Sequence, residues 1–503
     1  MKVDFFNFIG RNKWILLIIA VGTAFRVFRL DFQSLWLDEI YTMNISNPKL
    51  SLLQMHKQIL AREGFPHFYF LTLRGLYFLF GYTPVVARAL SVAAGIGSIY
   101  AIYLIGKELL HKNVGLFAAL LVSVNFYSIQ SSQDARPYSL YFFFVIVSFW
   151  RLTLFLKNQS WRNAVWYGIT SGLVLNVSFF GMFNVLTQSF IILFFLFILP
   201  AAQRAAFFKK AAVSGIIILV LLAPNYLMIL KLIRFPSFWV PSPKADTFSN
   251  IFNLLTGDSE VVRFIITPLI VYYFLTVFNN SNHKINYKDI VDNKLVFSFL
   301  ILFGWFFAFF VIIYTKSFGK ISYALARYFI SITPVIFIVL GISLYSIKNN
   351  LIRALVLISL VSFMTINLVS VKKYFTKVSK PQFREASQFV ISNHKPGEKI
   401  YTSQKYWFDY YFTNDKSNIQ VTNIEFEKLI SEMGKDSAKV KAFWFVDAFK
   451  KGYKPSLQAQ RFIDDNLYVD KQFTGYRAWA KHFIRLKDKP TSQRIKKRVK
   501  KTF

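Results

Sequence analysis

Just past its first apolar run the chain reads Ser34-Leu35-Trp36-Leu37-Asp38-Glu39-Ile40-Tyr41-Thr42, two adjacent carboxylates beside an indole. Next to low-dielectric lipid a carboxylate loses solvation and its proton affinity rises, which suits it to base catalysis or to holding a cation. The same pair also suits the first turn of a helix, where the dipole favours acids. A second cluster, Ser131-Ser132-Gln133-Asp134-Ala135-Arg136-Pro137-Tyr138-Ser139, places an acid, a cation and a phenol between two long aromatic-rich runs. A bare turn needs only small polar residues, so Asp134, Arg136 and Tyr138 are candidates for binding. Arg88 opens an apolar run, where it either snorkels to lipid headgroups or bonds a lipid phosphate. Lys316 and Lys320, with Arg327 in Ala326-Arg327-Tyr328-Phe329, set further cations ahead of a later run. Grouped beside Asp38, these cations would form an anion site for a phosphate carried by a membrane lipid, because guanidinium forks match phosphate oxygens.

The elements that must position these residues are read from hydropathy. Of the 503 residues, 54% are apolar, 19% aromatic and 17% charged, against roughly a quarter charged in soluble domains. That excludes a disordered chain and points to a polytopic membrane protein. Apolar runs of about 18 or more residues recur, each able to cross about 30 Å of hydrocarbon. Their lengths and Lys/Arg flanks predict about eleven spans, centred near residues 21, 96, 122, 147, 172, 191, 220, 271, 304, 336 and 361. The first run, from Lys13 to Leu30, lacks a small-residue cleavage signature and reads as a retained span. There is no cysteine, so disulfides, thiolate metal sites and a cysteine nucleophile are excluded. The net charge of +35 fits loops facing anionic lipid, and no nucleic-acid partner is expected.

Loop charge sets the orientation. The N-terminus and the loops Lys107 to Lys112, Lys157 to Arg162, Arg204 to Lys210, His283 to Lys294 and Lys348 to Arg353 are basic and fall on one side, which the positive-inside rule makes cytoplasmic. The alternate loops, including Asp31 to Pro84, are rich in Trp, Pro and mixed charge and face outward. Within the first of them, Pro66 to Gly81 reads as a helix lying in the interface. The expected organisation is a transmembrane catalytic domain over residues 1–371, an extracytoplasmic α/β domain over 372–490 and a basic tail over 491–503. In the α/β part a helix is expected over Pro381 to Asn393, a turn at Pro396-Gly397, a strand over Lys399 to Ser403 and a helix near Glu425 to Glu432. Further strand-like stretches are Ile419 to Asn423, Lys441 to Val446 and Tyr468 to Leu486.

These residues resemble the GT-C membrane glycosyltransferases, in the branch containing the protein O-mannosyltransferases and the aminoarabinose transferase of lipid A. The resemblance rests on Trp36-Leu37-Asp38-Glu39, Pro66-His67-Phe68-Tyr69, Phe80-Gly81 before Arg88, Gln133 to Tyr138, and Ala326-Arg327-Tyr328. It covers about residues 13 to 370, most strongly the first third. It implies an inverting transfer from a polyprenyl-phosphate sugar on the outer face of the cytoplasmic (inner) membrane, without a nucleotide donor. Asp38 matches the family's first-loop Asp, which deprotonates or orients the acceptor. Glu39 would support it or help hold a divalent cation, the one cofactor the resemblance leaves open. Arg136 and Arg327 match the basic residues that hold the lipid phosphate, and preplaced cations there would lower the barrier as the leaving phosphate gains charge. Where family members commonly carry paired prolines this chain has Pro66-His67, so His67 is either catalytic or a packing residue. Neither the sugar nor the acceptor, whether protein, lipid A or another glycan, is read from the sequence.

Three rivals stand beside this reading. A transporter or flippase for lipid-linked glycans would also bind phosphate, but it is expected to place ionisable sites at the bilayer midplane, whereas these charges cluster at the ends of spans. An envelope polysaccharide polymerase or ligase would use outer-loop cations, and the Asp38-Glu39 pair argues against it. A mere membrane anchor for the tail needs neither so many spans nor the cationic loops.

Overall fold

The computed structural model describes residues 2–233, 240–279, 286–319, 321–414, 419–435, 441–449 and 452–488. They form two compact units, Met1–Leu30 with Ile45–Phe375, and Asp31–Asn44 with Thr376–Phe503.

The first unit is helical. Among the described residues eight helices are long and apolar enough to cross a bilayer, or nine if Lys112–Val124 and Phe126–Ser132, bent by 66°, make one span. The count is lower than the eleven expected for two physical reasons. Helix Lys2–Val27 is long but interrupted by charge, including Lys13 and Arg26, and helix Trp161–Val177 has 17 residues. Both coincide with expected span centres. The span Ala326–Ser346 is 89% buried inside the protein whereas Ala201–Leu232 and Asn350–Val371 are each 22% buried, so the former is central and the latter two present apolar surface to lipid. Small residues let the central helices touch. A Cβ on Gly106 would stand 2.7 Å from the Cα of Gly115, and one on Gly341 would stand 2.7 Å from the Val114 carbonyl, the close approach that membrane helices use in place of a hydrophobic driving force.

Two helices of this unit lie in the first loop. Leu52–Arg62 opens with a capping box between Ser51 and Gln54. His67–Phe80 follows Pro66 and ends at Gly81, whose φ of 89° a side chain resists. Its buried face is Tyr69, Phe70, Leu73 and Tyr77, while Phe78, Leu79 and Phe80 are exposed, so the stretch Pro66 to Gly81 is helical as expected.

The second unit holds a five-stranded sheet of order β2-β1-β3-β5-β4, with β1 Lys399–Thr402, β2 Val421–Asn423, β3 Phe443–Ala448, β4 Leu467–Gly475 and β5 Ala478–Arg485. Strands β1, β2 and β3 run parallel, and β5 runs antiparallel to both β3 and β4. Helix Phe383–Asn393 matches the expected one, as does Phe426–Gly434. The stretch Tyr468 to Leu486, read as one strand-like run, is a hairpin turned at Tyr476 and Arg477, the latter at φ 48°. Helices Lys405–Asn414 and Leu457–Asn466 were not anticipated. The core beneath the sheet is aromatic, with Phe443, Phe445, Trp479 and Phe483 packed against Leu429, Ile430 and Ile463. The basic tail lies outside the described residues.

Candidate functional site

In the helical unit the loop Gln133 to Pro137 joins helices Phe126–Ser132 and Tyr138–Lys157. Its backbone is fixed from the neighbouring Pro84–Leu109 helix, where the Ser91 hydroxyl donates to the Arg136 carbonyl at 3.1 Å. The Gln133 amide donates at 3.0 Å to each of the Arg26 and Phe28 carbonyls, closing the end of the first helix.

From this loop Arg136 reaches Glu63, with Nη1 to Oε1 at 2.8 Å and Nη2 to Oε2 at 3.1 Å. Both residues are buried. A two-pronged fork of this kind is the strong form of a charge-assisted bond. The Arg136 guanidinium also lies over the Phe65 ring at 5.1 Å. Phe65 meets Tyr138 edge to face at 5.7 Å, and the Tyr138 hydroxyl accepts from Arg327 Nη1 at 3.2 Å. A continuous path thus runs Glu63, Arg136, Phe65, Tyr138, Arg327. It brings together three of the residues singled out in the sequence and adds Glu63, which sequence reasoning missed. The available signal was a lone acid immediately before Gly64-Phe65-Pro66.

The remaining candidates sit otherwise. Arg88 is buried and donates to the Leu30 carbonyl at 2.8 Å. Asp134 is half-buried, and its carbonyl accepts from the Arg136 N–H at 2.8 Å. His67 is held on both ring nitrogens, Nε2 at 2.8 Å from His56 Nδ1 and Nδ1 at 3.3 Å from Asn225 Oδ1. Burial lowers its proton affinity, the Asn225 bond opposes that and His56 adds to it, with a net downward shift. Lys320 lies outside the described residues.

A further buried cation escaped the sequence reading. Arg26 is fully buried and donates to five neutral oxygens: the Ser132 hydroxyl at 3.2 Å, the Ser128 hydroxyl at 2.9 Å, and the Gly22, Ser123 and Val122 carbonyls at 3.0, 3.1 and 3.2 Å.

Asp38 and Glu39 belong to the second unit, in the first turn of helix Leu37–Ile45. Asp38 is half-buried, and its carbonyl accepts from the Thr42 hydroxyl at 3.1 Å. Glu39 is fully buried; its Oε2 accepts from Lys380 Nζ at 2.8 Å and from the Trp36 N–H at 3.3 Å. The segment is pinned further by Arg384, which donates to the Asp31 and Phe32 carbonyls at 2.9 Å each, and by the Tyr411 hydroxyl, which accepts from the Leu35 N–H at 3.1 Å. A carboxylate oxygen already facing an ammonium is a poor ligand for a divalent cation. Among the described residues no three His, Asp or Glu side chains converge to hold a metal. The residues present do not fit a metal at Glu39.

Residues 65–228 match the family model described as dolichyl-phosphate-mannose-protein mannosyltransferase. The chain is similar in structure to ArnT from Cupriavidus metallidurans in the apo state, with a TM-score of 0.58, 12% identity, and coverage of 94% of this chain and 98% of that one. The same ArnT bound to undecaprenyl phosphate gives 0.57, 12%, 94% and 98%. The archaeal oligosaccharyltransferase AglB from Archaeoglobus fulgidus, in complex with an inhibitory peptide and a dolichol-phosphate, gives 0.51, 12%, 96% and 75%. No curated protein matches the sequence significantly. The fold is therefore like that of ArnT, in a multi-pass membrane protein.

Proposed function

We propose that this chain is a glycosyltransferase that moves a sugar, with inversion, from a polyprenyl-phosphate carrier to an acceptor at the outer face of the cytoplasmic membrane. The observation that carries the reading is the path from Glu63 through Arg136, Phe65 and Tyr138 to Arg327, of which Phe65, Arg136 and Tyr138 lie in the segment matching the mannosyltransferase family. A carrier phosphate gains negative charge as the glycosidic bond breaks, and fixed guanidinium groups stabilise that charge without reorganising. Arg327, at the far end of the path with its Nη1 on the Tyr138 hydroxyl at 3.2 Å, is the residue assigned to this work. Arg136 is compensated by Glu63, so a phosphate would share that fork with the carboxylate. The undecaprenyl phosphate bound by ArnT and the dolichol-phosphate bound by AglB support a lipid-linked donor.

On the acceptor side we assign Asp38 as the base. Glu39, locked to Lys380, acts as a positioning residue that fixes the start of the Asp38 helix. His67, engaged on both ring nitrogens, packs the first-loop helices. The catalytic part is assigned to residues 1–371, with residues 372–490 outside the cytoplasm and the N-terminus within it.

The test is transfer of radiolabelled sugar from a panel of polyprenyl-phosphate sugars by the full chain in lipid. We expect transfer by wild type, a loss of about 10²- to 10⁴-fold in Asp38→Asn with donor binding retained, as for removal of a general base, and weakened donor binding in Arg327→Gln. Undiminished transfer by Asp38→Asn would move the base to another carboxylate. Absence of transfer from every donor, with movement of the carrier lipid across vesicles, would replace the transferase by a transporter.

A further inference from the structure

In the second unit β1 lies between β2 and β3, so the parallel strands are entered from both sides of β1. Open α/β sheets bind ligands beyond the carboxyl ends of such strands. At the ends of β1 and β2 an open cleft of about 360 Å³ is lined by the stretch Ser403 to Trp407, Asp409 and Asn423.

Its frame is rigid. Asp447, at the end of β3, accepts from the Thr402 hydroxyl at 2.9 Å, the Ser403 N–H at 2.9 Å and the Ser403 hydroxyl at 2.7 Å. The Gln404 N–H donates to the Thr402 hydroxyl at 3.0 Å, and the Lys405 N–H to the Asn423 amide oxygen at 3.4 Å. A cleft held by such bonds is preorganised.

Its chemistry is specific. Trp407 and Tyr406 are half-buried, with ring centroids 6.1 Å apart, and Tyr41 packs against them at 5.9 and 4.9 Å. Beside these rings stand two amides, a hydroxyl and a carboxylate, from Gln404, Asn423, Ser403 and Asp409. Gln404 is 7% exposed, yet its Oε1 has no hydrogen-bond partner, and neither has the Nε1 of Trp407. Buried polar atoms are almost always satisfied, so an acceptor and a donor left unpaired on two residues lining one cleft ask what completes them. Lys405 and Asp409 pair at 3.4 Å, which leaves little net charge to attract a phosphate. A sugar ring answers each feature: its apolar C–H face lies on an aromatic ring, and its edge carries hydroxyls that donate to carboxylates and both donate to and accept from amides.

We infer that this cleft is a carbohydrate-binding subsite that seats one uncharged sugar ring of a glycan on Trp407, with Gln404, Asn423 and Asp409 reading its hydroxyls. That the bound glycan is the acceptor of transfer rests on the proposed function; that the cleft binds a sugar does not.

The experiment uses the full chain in nanodiscs, with no lipid donor, titrated with soluble mono- and oligosaccharides built from hexoses, pentoses and N-acetylhexosamines. Saturation-transfer NMR follows the sugar. In parallel, mass spectrometry follows protection of the Trp407 indole from oxidation, which needs no variant and so does not depend on a variant folding. At least one sugar is expected to bind and to protect Trp407, with affinity falling at least tenfold in Trp407→Ala and in Gln404→Leu and less than threefold in Trp407→Phe. Competition by inorganic phosphate, binding that survives Trp407→Ala, or no binding and no protection across the panel would each overturn the assignment. Because the titration contains no donor, its outcome is separate from whether the helical unit transfers anything.

Discussion

The two units bury charge in the same two ways and satisfy it from different sources. Each has a buried ion pair, Glu63 with Arg136 in the helical unit and Glu39 with Lys380 in the sheet unit. Each also has a lone ion solvated by neutral dipoles. In the helical unit that ion is the cation Arg26, taken up by the Val122 and Ser123 carbonyls in the last turn of helix Lys112–Val124, by the Gly22 carbonyl and by two serine hydroxyls. In the sheet unit it is the anion Asp447, taken up by hydroxyls and an N–H just ahead of helix Lys405–Asn414. The signs follow the dipoles: the carbonyl end of a helix suits a cation and the amide end an anion. Between spans there is no water to fall back on, so backbone carbonyls do the solvating; the second unit can use the side-chain hydroxyls of its strand ends.

If burial sets the strength of each pairing, breaking the more enclosed pair must cost more. Arg136→Met strands Glu63 in a site where both side chains are 5% exposed, and should lower stability by about 3–5 kcal/mol. Thermal unfolding in detergent would show it, and Glu63→Gln combined with Arg136→Met should recover most of the loss. If the double variant is no better than the single, packing rather than charge holds the two elements together.

The lone anion gives the next largest effect. Burial pushes the Asp447 carboxyl up from 3.8 to about 6, against the opposing pull of its bonds to Ser403 and Thr402. The folded unit therefore holds the Asp447 proton more tightly than the unfolded chain does. The stability this contributes is fully present below about pH 4 and is lost as pH rises through about 6, in all about 3 kcal/mol at 1.36 kcal/mol per unit. Unfolding followed from pH 4 to 8 in wild type and Asp447→Asn should give a difference that changes across that window; a difference flat with pH refutes the account.

The smallest effect is expected at the less enclosed pair, where the Lys380 side chain is 15% exposed. Lys380→Met should cost about 1–2 kcal/mol, since the Trp36 N–H still bonds the carboxylate left behind, and should raise hydrogen exchange over residues 31–44. A loss equal to that of Arg136→Met would show that the surroundings of the two pairs do not differ in the way argued.

Much of this arrangement was legible beforehand. Span positions follow from runs of apolar residues, and the strands of the second unit from alternation and turn residues, because both are local properties of the chain. Asp38 and Glu39 fall in a first helical turn, one of the two settings their types suit. The misses share a cause. Glu63 meets Arg136 across 73 positions, Arg26 meets Ser123, Ser128 and Ser132 across about a hundred, and Glu39 meets Lys380 across 341. Helix Lys405–Asn414, with its aromatic YWFDYYF run, carries a pattern that also suits a strand, and its packing against helix Phe383–Asn393 and β2 decided it.

By itself, then, the sequence determined that this is a membrane protein of many spans with a helix-bearing first loop and a small α/β unit, because hydrocarbon thickness and residue periodicity act on short stretches. Tertiary structure alone decided which charges are spent on one another and which residues form a cleft. Desolvation makes a buried ion take whichever partner the fold brings within about 3 Å, and no spacing along the chain encodes that partner.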